Sequence, residues 1–165
     1  GVSISAIMFS VTPKDFQFKE SDQVDVAVRL SAGEYMGKAK INVQVKDIKF
    51  SALDDEKVIL SQQMYEDFCA NESISEALGV TRELCGDIYR FMRINNNWRH
   101  SAETMCYRLG LSAENIVNCQ IALDVLVELG ILKYSEGCYG VPSENVKNPI
   151  ENSTIFNKAL NYKTI

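Results

Sequence analysis

The sequence predicts an α+β chain in which a short antiparallel β-meander precedes a helical module, and three observations carry that prediction. Residues 34–48, EYMGKAKINVQVKDI, alternate between apolar and polar types as a strand does. From about residue 78 the apolar residues recur at helical spacing for some fifty positions, broken by capping residues and glycines. After those helices come two short β-type runs around Ser135, Glu136 and Gly137. The expected organisation is strands over 1–60, a connecting helix and hinge over 61–80, and a helical module over 81–165. At 165 residues, 46% apolar and 24% charged, the chain has ordinary globular composition.

The first element is a strand over 2–11, rich in Val, Ile and Phe, followed by a connection over 13–22. The second is a strand over 24–30 with Val24, Val26, Val28 and Leu30 on one face. A link over 31–37, in which Gly33 and Gly37 can take unusual backbone angles, returns the chain into the third strand. There Ala39, Ile41, Val43 and Val45 point toward a core, while Lys38, Lys40, Asn42, Gln44 and Lys46 form the opposite face. Three cations and two amides with no carboxylate among them suit an anion, although polar residues also clothe any solvated strand face, and Lys guards sheet edges. A meander of this size is marginal unless it packs on something else.

Residues 54–60 read as a strand or bend and 61–70 as a helix, before a polar hinge over 71–78. Thr81 caps a helix whose Leu84, Ile88, Phe91 and Met92 share a face. Ser101 caps a short second helix closed by Gly110, and Ser112 a third that reaches Leu129 and closes at Gly130. Strands at 131–134 and 138–141 follow, and Ser153 starts a last helix-like piece with Ile155, Phe156 and Leu160 able to dock. Three helices followed by a two-stranded ribbon is the order of a winged helix.

Charge and motifs narrow the functions. Seventeen basic and twenty-two acidic residues give a net charge of -5, which speaks against dependence on a strong global positive field. Between Arg29 and Lys49, however, five basic residues face two acidic ones, a local +3. The third helix has no Lys or Arg, only Glu114, Asp124 and Glu128, so it lacks the donors a groove-reading helix needs. The module is thus better suited to docking protein, with Arg93, Trp98 and Arg99 around the Asn-rich turn as the candidate partner contacts. The alternative for Trp98 is a core residue propping up the turn. The five cysteines, odd in number and without a CxxC pair, suggest reduced thiols and a cytoplasmic location. One His, no DxD cluster, and no P-loop, GxSxG or GxGxxG motif make this stretch unlike a complete enzyme. The start at Gly1 suggests a piece of a longer protein, and there is no apolar run long enough for a membrane span.

The succession of 22–30 (DQVDVAVRL), 34–37 (EYMG) and 40–48 (KINVQVKDI), preceded by 2–9, resembles the end of the oligonucleotide-binding (OB) domain of RecJ-family single-strand exonucleases. The segments 81–91, 125–132 and 151–156 are similar to the winged-helix-like carboxy-terminal extension of many Gram-positive members. The resemblance implies a partial OB-like meander followed by a winged-helix-like domain. It implies a parent that degrades single-stranded DNA 5′ to 3′ in recombination and repair. The parent's DHH and DHHA1 domains, which use manganese or magnesium, would lie upstream, so no catalytic residue, metal or cofactor is expected here. Arg29, Lys38, Lys40 and Lys46 would then contact phosphates and Tyr35 a base face. Single-strand-binding protein or another repair protein would be the partner of the extension. A winged-helix interaction module or a transcriptional regulator is the alternative.

Overall fold

Residues 4–144 and 146–162 are described by the computed structural model, Tyr35 through its backbone only. Among them are five α-helices, a three-stranded sheet and a two-stranded sheet, a mixed α+β fold. Contacts divide the chain into two units, Gly1–Ala52 and Leu53–Ile165.

In the first unit β2 (Val24–Tyr35) and β3 (Lys38–Phe50) form a long antiparallel ribbon. They join through Met36 and Gly37, whose φ of 52° and 75° make the two-residue turn whose twist matches the flanking strands. The expected link over 31–37 is therefore mostly strand. Gly33 lies within β2 opposite Lys40, and a side chain there would meet the Asn42 amide at 2.9 Å. β1 is only Ile7–Met8, shorter than the expected strand over 2–11, of which Val2 and Ser3 lie outside the described residues.

The sheet is not a meander, because β1 runs parallel to β3 and the order is β1-β3-β2. Everything from 9 to 37 separates the two parallel strands, ample for the crossover that parallel pairing requires. Nor does the whole apolar face join a core. Phe50 is buried with its ring 4.7 Å from that of Phe18, but Leu30 and Ile41 are 63% and 69% exposed.

The second unit begins with α1 (Asp55–Ala70), where the sequence suggests a strand or bend as far as Leu60. Asp54 accepts the Lys57 amide at 3.1 Å, and Asp55 and Glu56 sit in the first turn, where carboxylates favour the helix dipole. These start signals outweigh the β-branched Val58 and Ile59. Thr81 and Ser101 cap α2 (Arg82–Ile94) and α3 (Ala102–Arg108) as expected. Ser112 does not cap a helix: a 3₁₀ turn at Ala113–Asn115 intervenes before α4 (Ile116–Glu128), and the Ser112 hydroxyl accepts the Asn115 side-chain amide.

Helix α4 is the centre of this unit, packing against α1, α2, α3 and α5 (Thr154–Leu160). Of its thirteen residues only Glu128 is exposed. Its acidic groups are consumed internally. Asp124 accepts the Tyr65 hydroxyl at 2.7 Å, while Glu128 accepts the Ser153 and Thr154 hydroxyls and the backbone amides of Thr154 and Ile155. Those bonds lower the Glu128 carboxyl even against its own burial. On α5, Phe156 and Ala159 are the buried pair, whereas Leu160 is 60% exposed and does not dock.

Between α4 and α5 lies a short ribbon, β4 (Lys133–Ser135) and β5 (Cys138–Gly140), turned through Glu136 and Gly137 at φ 53° and 72°. The backbone of Trp98 pairs with Tyr139 through two bonds of 2.9 and 2.8 Å, which adds a third row to this ribbon.

Candidate nucleic-acid interface

The polar face of the β2–β3 ribbon follows from register. Residues directly opposite in an antiparallel pair share a face. The pairs Arg29–Gln44, Ser31–Asn42 and Gly33–Lys40, with Lys38 beyond them, therefore line one side. Leu30–Val43, Ala32–Ile41 and Glu34–Ala39 line the other. Arg29, Lys38 and Lys40, chosen from sequence, thus stand on a single face, and all three are exposed.

Lys46 stands at a bulge. Pairing steps from Ala27–Asp47 to Val28–Val45, leaving Lys46 as the extra residue of β3. Strict alternation would turn Asp47 toward the apolar side. The bulge resets the phase, so that Asp47 lies on the polar side and Ile48 and Phe50 return to the apolar one, while Lys46 itself is unpaired in the register and exposed. A signal for this was present, since the apolar positions change from odd (Val43, Val45) to even (Ile48, Phe50) within one strand.

The face is consequently polarised along its length. Toward the turn it carries Lys38 and Lys40, with Arg29 and Lys46 farther along. Beyond the bulge come Asp47 and Asp25, the latter 3.9 Å from the Lys49 ammonium and accepting the Ser51 hydroxyl at 2.7 Å. The side chain of Tyr35 lies outside the described residues, so its expected stacking role has no geometry here.

The predicted partner contacts separate into three places. Trp98 is 8% exposed, its ring edge-on to Phe91 at 4.9 Å and to His100 at 4.8 Å. That is the geometry of a residue propping up the turn, and an indole so covered offers little surface to a partner. Arg93, exposed at the end of α2, lines a cleft of about 260 Å³ with Tyr89, Ile131, Val141, Pro142 and Glu144. Arg99 instead reaches the small ribbon, donating to the Glu136 carbonyl at 3.3 Å.

No family model matches this chain, and neither the curated proteins nor the solved structures contain a significant match. Function must therefore be argued from the residues themselves. Among the described residues no group of three or more His, Cys, Asp or Glu side chains is placed to hold a metal ion. No helix among them is long and apolar enough to cross a membrane. Burial pushes Cys85 up to about 11, and Cys119 is raised by the adjacent Cys106 thiol and by burial, the opposite of what a nucleophile needs.

Proposed function

We propose that this chain is an accessory, non-catalytic part of a RecJ-like 5′ to 3′ exonuclease, in which the β2–β3 ribbon holds single-stranded DNA. The observation that carries the reading is the collection of Arg29, Lys38 and Lys40 on one exposed face, with Lys46 exposed at the bulge of the same ribbon, within an otherwise acidic chain. A cationic ribbon tracks a phosphate backbone without reading bases, as single-strand grooves do. The mixed sheet also supports the OB reading, since a long return connection and non-sequential pairing belong to Greek-key barrels and not to plain meanders. Three helices, a two-stranded ribbon and the added Trp98 row support the winged-helix reading of the second unit.

A transcriptional regulator is disfavoured on a specific ground. The helix that would enter a groove, α4, is buried except for a partly open stripe of Gln120, Asp124, Val127 and Glu128, and its carboxylates are engaged by α1 and α5. Docking of a repair protein such as single-strand-binding protein remains a second role, favoured by the cleft that Arg93 lines beside Tyr89, Ile131, Val141, Pro142 and Glu144.

The test is binding of an oligothymidylate by the full chain at several salt concentrations. Losing three phosphate contacts in K38E/K40E/K46E should flatten the log-log salt slope by about 2, at about 0.7 per contact for single strands. Equal affinity and equal slope for the triple variant and the wild type would sink the proposal.

A further inference from the structure

The ribbon β4–β5 has two unlike faces. Tyr134, Tyr139 and Trp98 stand in one cross-strand row, and the Tyr134 and Tyr139 rings lie 4.5 Å apart. Residues one step along the strands point the other way. The outer face therefore carries Lys133 opposite Gly140 in one row, and Ser135 opposite Cys138 in the next. Trp98 meets Tyr139 through an isolated bridge; Asn97 before it turns away at φ 62°, while Arg99 after it reaches back to the turn of the ribbon.

Both cations on this face are held in place. A side chain on Gly140 would meet the Lys133 stem at 3.2 Å and the Asn96 Oδ1 at 3.3 Å, so the missing Cβ is what lets Lys133 lie across the ribbon. Asn96 is fixed in turn by accepting the Val141 amide at 3.0 Å. Arg99 is tied to the turn by the Glu136 carbonyl, which leaves guanidinium donors over to serve another acceptor. Lys133, Arg99 and Asn97 are exposed. The rows contribute no carboxylate, Glu136 in the turn being the nearest one in sequence.

We propose that this outer face is a second phosphate-backbone contact, with Lys133 and Arg99 as its cations and Ser135 as a neutral donor beside them. Arg99 reaches the Glu136 carbonyl and Lys133 lies three residues before Glu136, so the two cations stand at one small ribbon, where flexible side chains can reach neighbouring phosphates of an extended strand. Arg99 is thereby reassigned from a protein partner to nucleic acid, and Lys133 enters as a residue the alternation of a three-residue strand is too short to reveal. The choice of a single strand as ligand rests on the reading of the β2–β3 face; the site itself does not.

Oligothymidylate titrations of R99E/K133E, of K38E/K40E/K46E and of the combined variant separate the two. Loss of two contacts should lower the salt slope by about 1.4 and weaken binding severalfold at moderate salt. E136K, which adds a cation to the same turn, should tighten it. If the triple variant binds like the wild type while R99E/K133E is weakened, the first reading fails and this one stands. If R99E/K133E and the neutral R99Q/K133Q both bind like the wild type with an unchanged slope, this one is overturned. Loss of an acidic peptide by R99E/K133E with oligonucleotide binding unchanged would overturn it equally, in favour of protein docking. Thermal midpoints of the variants matching the wild type show that any loss is not unfolding.

Discussion

Both ribbons turn through two residues of positive φ, Met36–Gly37 in the long one and Glu136–Gly137 in the short one, and both carry cations on one face. They differ in what lies beneath. The short ribbon, three residues a side, sets Tyr139 against Trp98, whose ring is enclosed by Phe91 and His100. The long ribbon, of twelve and thirteen residues, leaves Leu30 and Ile41 mostly open. Turn chemistry closes a hairpin locally, whereas burial decides how firmly it is held, and the two are independent here.

The largest expected effect attacks that contrast directly. Trp98→Ala removes a ring that is 8% exposed and should cost about 3–5 kcal/mol in urea unfolding, the range for truncating a buried aromatic. Leu30→Ala, at a side chain 63% exposed, should cost under about 0.5 kcal/mol. A Leu30→Ala loss comparable with that of Trp98→Ala would mean that the open face of the long ribbon is covered in solution.

A smaller effect tests what the ribbons share. Among the described residues, chain neighbours aside, neither Gly37 nor Gly137 has an atom within 4 Å of where a Cβ would stand, so Gly→Ala at either acts chiefly through the positive φ. Each should destabilise its own ribbon by about 1 kcal/mol, read from urea unfolding for Gly137 and from amide exchange across β2–β3 for Gly37. Met36→Asn and Glu136→Asn should gain a fraction of this, because Asn tolerates the left-handed region. Unequal glycine losses would show that the packed face of the short ribbon, and not the turn, sets its geometry.

What was legible in the sequence follows the same division between local and non-local causes. Caps with a side-chain oxygen before an apolar period, Thr81, Ser101 and Ser153, placed three helices to within a residue. Alternation in β3 correctly grouped Lys38 and Lys40, and the register adds Arg29 to them. The parallel placement of β1 escaped, because two residues of strand have no periodicity and their pairing is decided by contacts distant in sequence. Helix α1 was shortened because Val58 and Ile59 suggest a strand, while its core-facing residues Ser61, Met64 and Phe68 appear only later. Lys133 and Arg99 meet on one face only because the Trp98 backbone joins the ribbon, and no local pattern announces that.

The smallest effect sharpens the comparison by giving the helical unit a pH signature of its own. Glu114 accepts the Lys57 ammonium, and that bond, with its backbone amide and Ser112, lowers its carboxyl to about 2 from an ordinary 4.5. A lowered carboxyl stabilises the fold fully above the unfolded value and loses that contribution as pH falls from about 4.5 through about 2. Asp124 has the opposite sign: burial raises it above the ordinary 3.8, against the Tyr65 and Gln120 hydrogen bonds, so its contribution is present at low pH and is lost as pH rises through the folded value. Glu114→Gln should therefore flatten the acid limb of urea midpoints measured from pH 7 to 2. Asp124→Asn, which keeps an acceptor for Tyr65, should compare best with the wild type near neutrality and worst in acid. The Glu114–Lys57 pair is exposed, so salt should shrink the first difference. Desolvation causes the second, which should persist in salt.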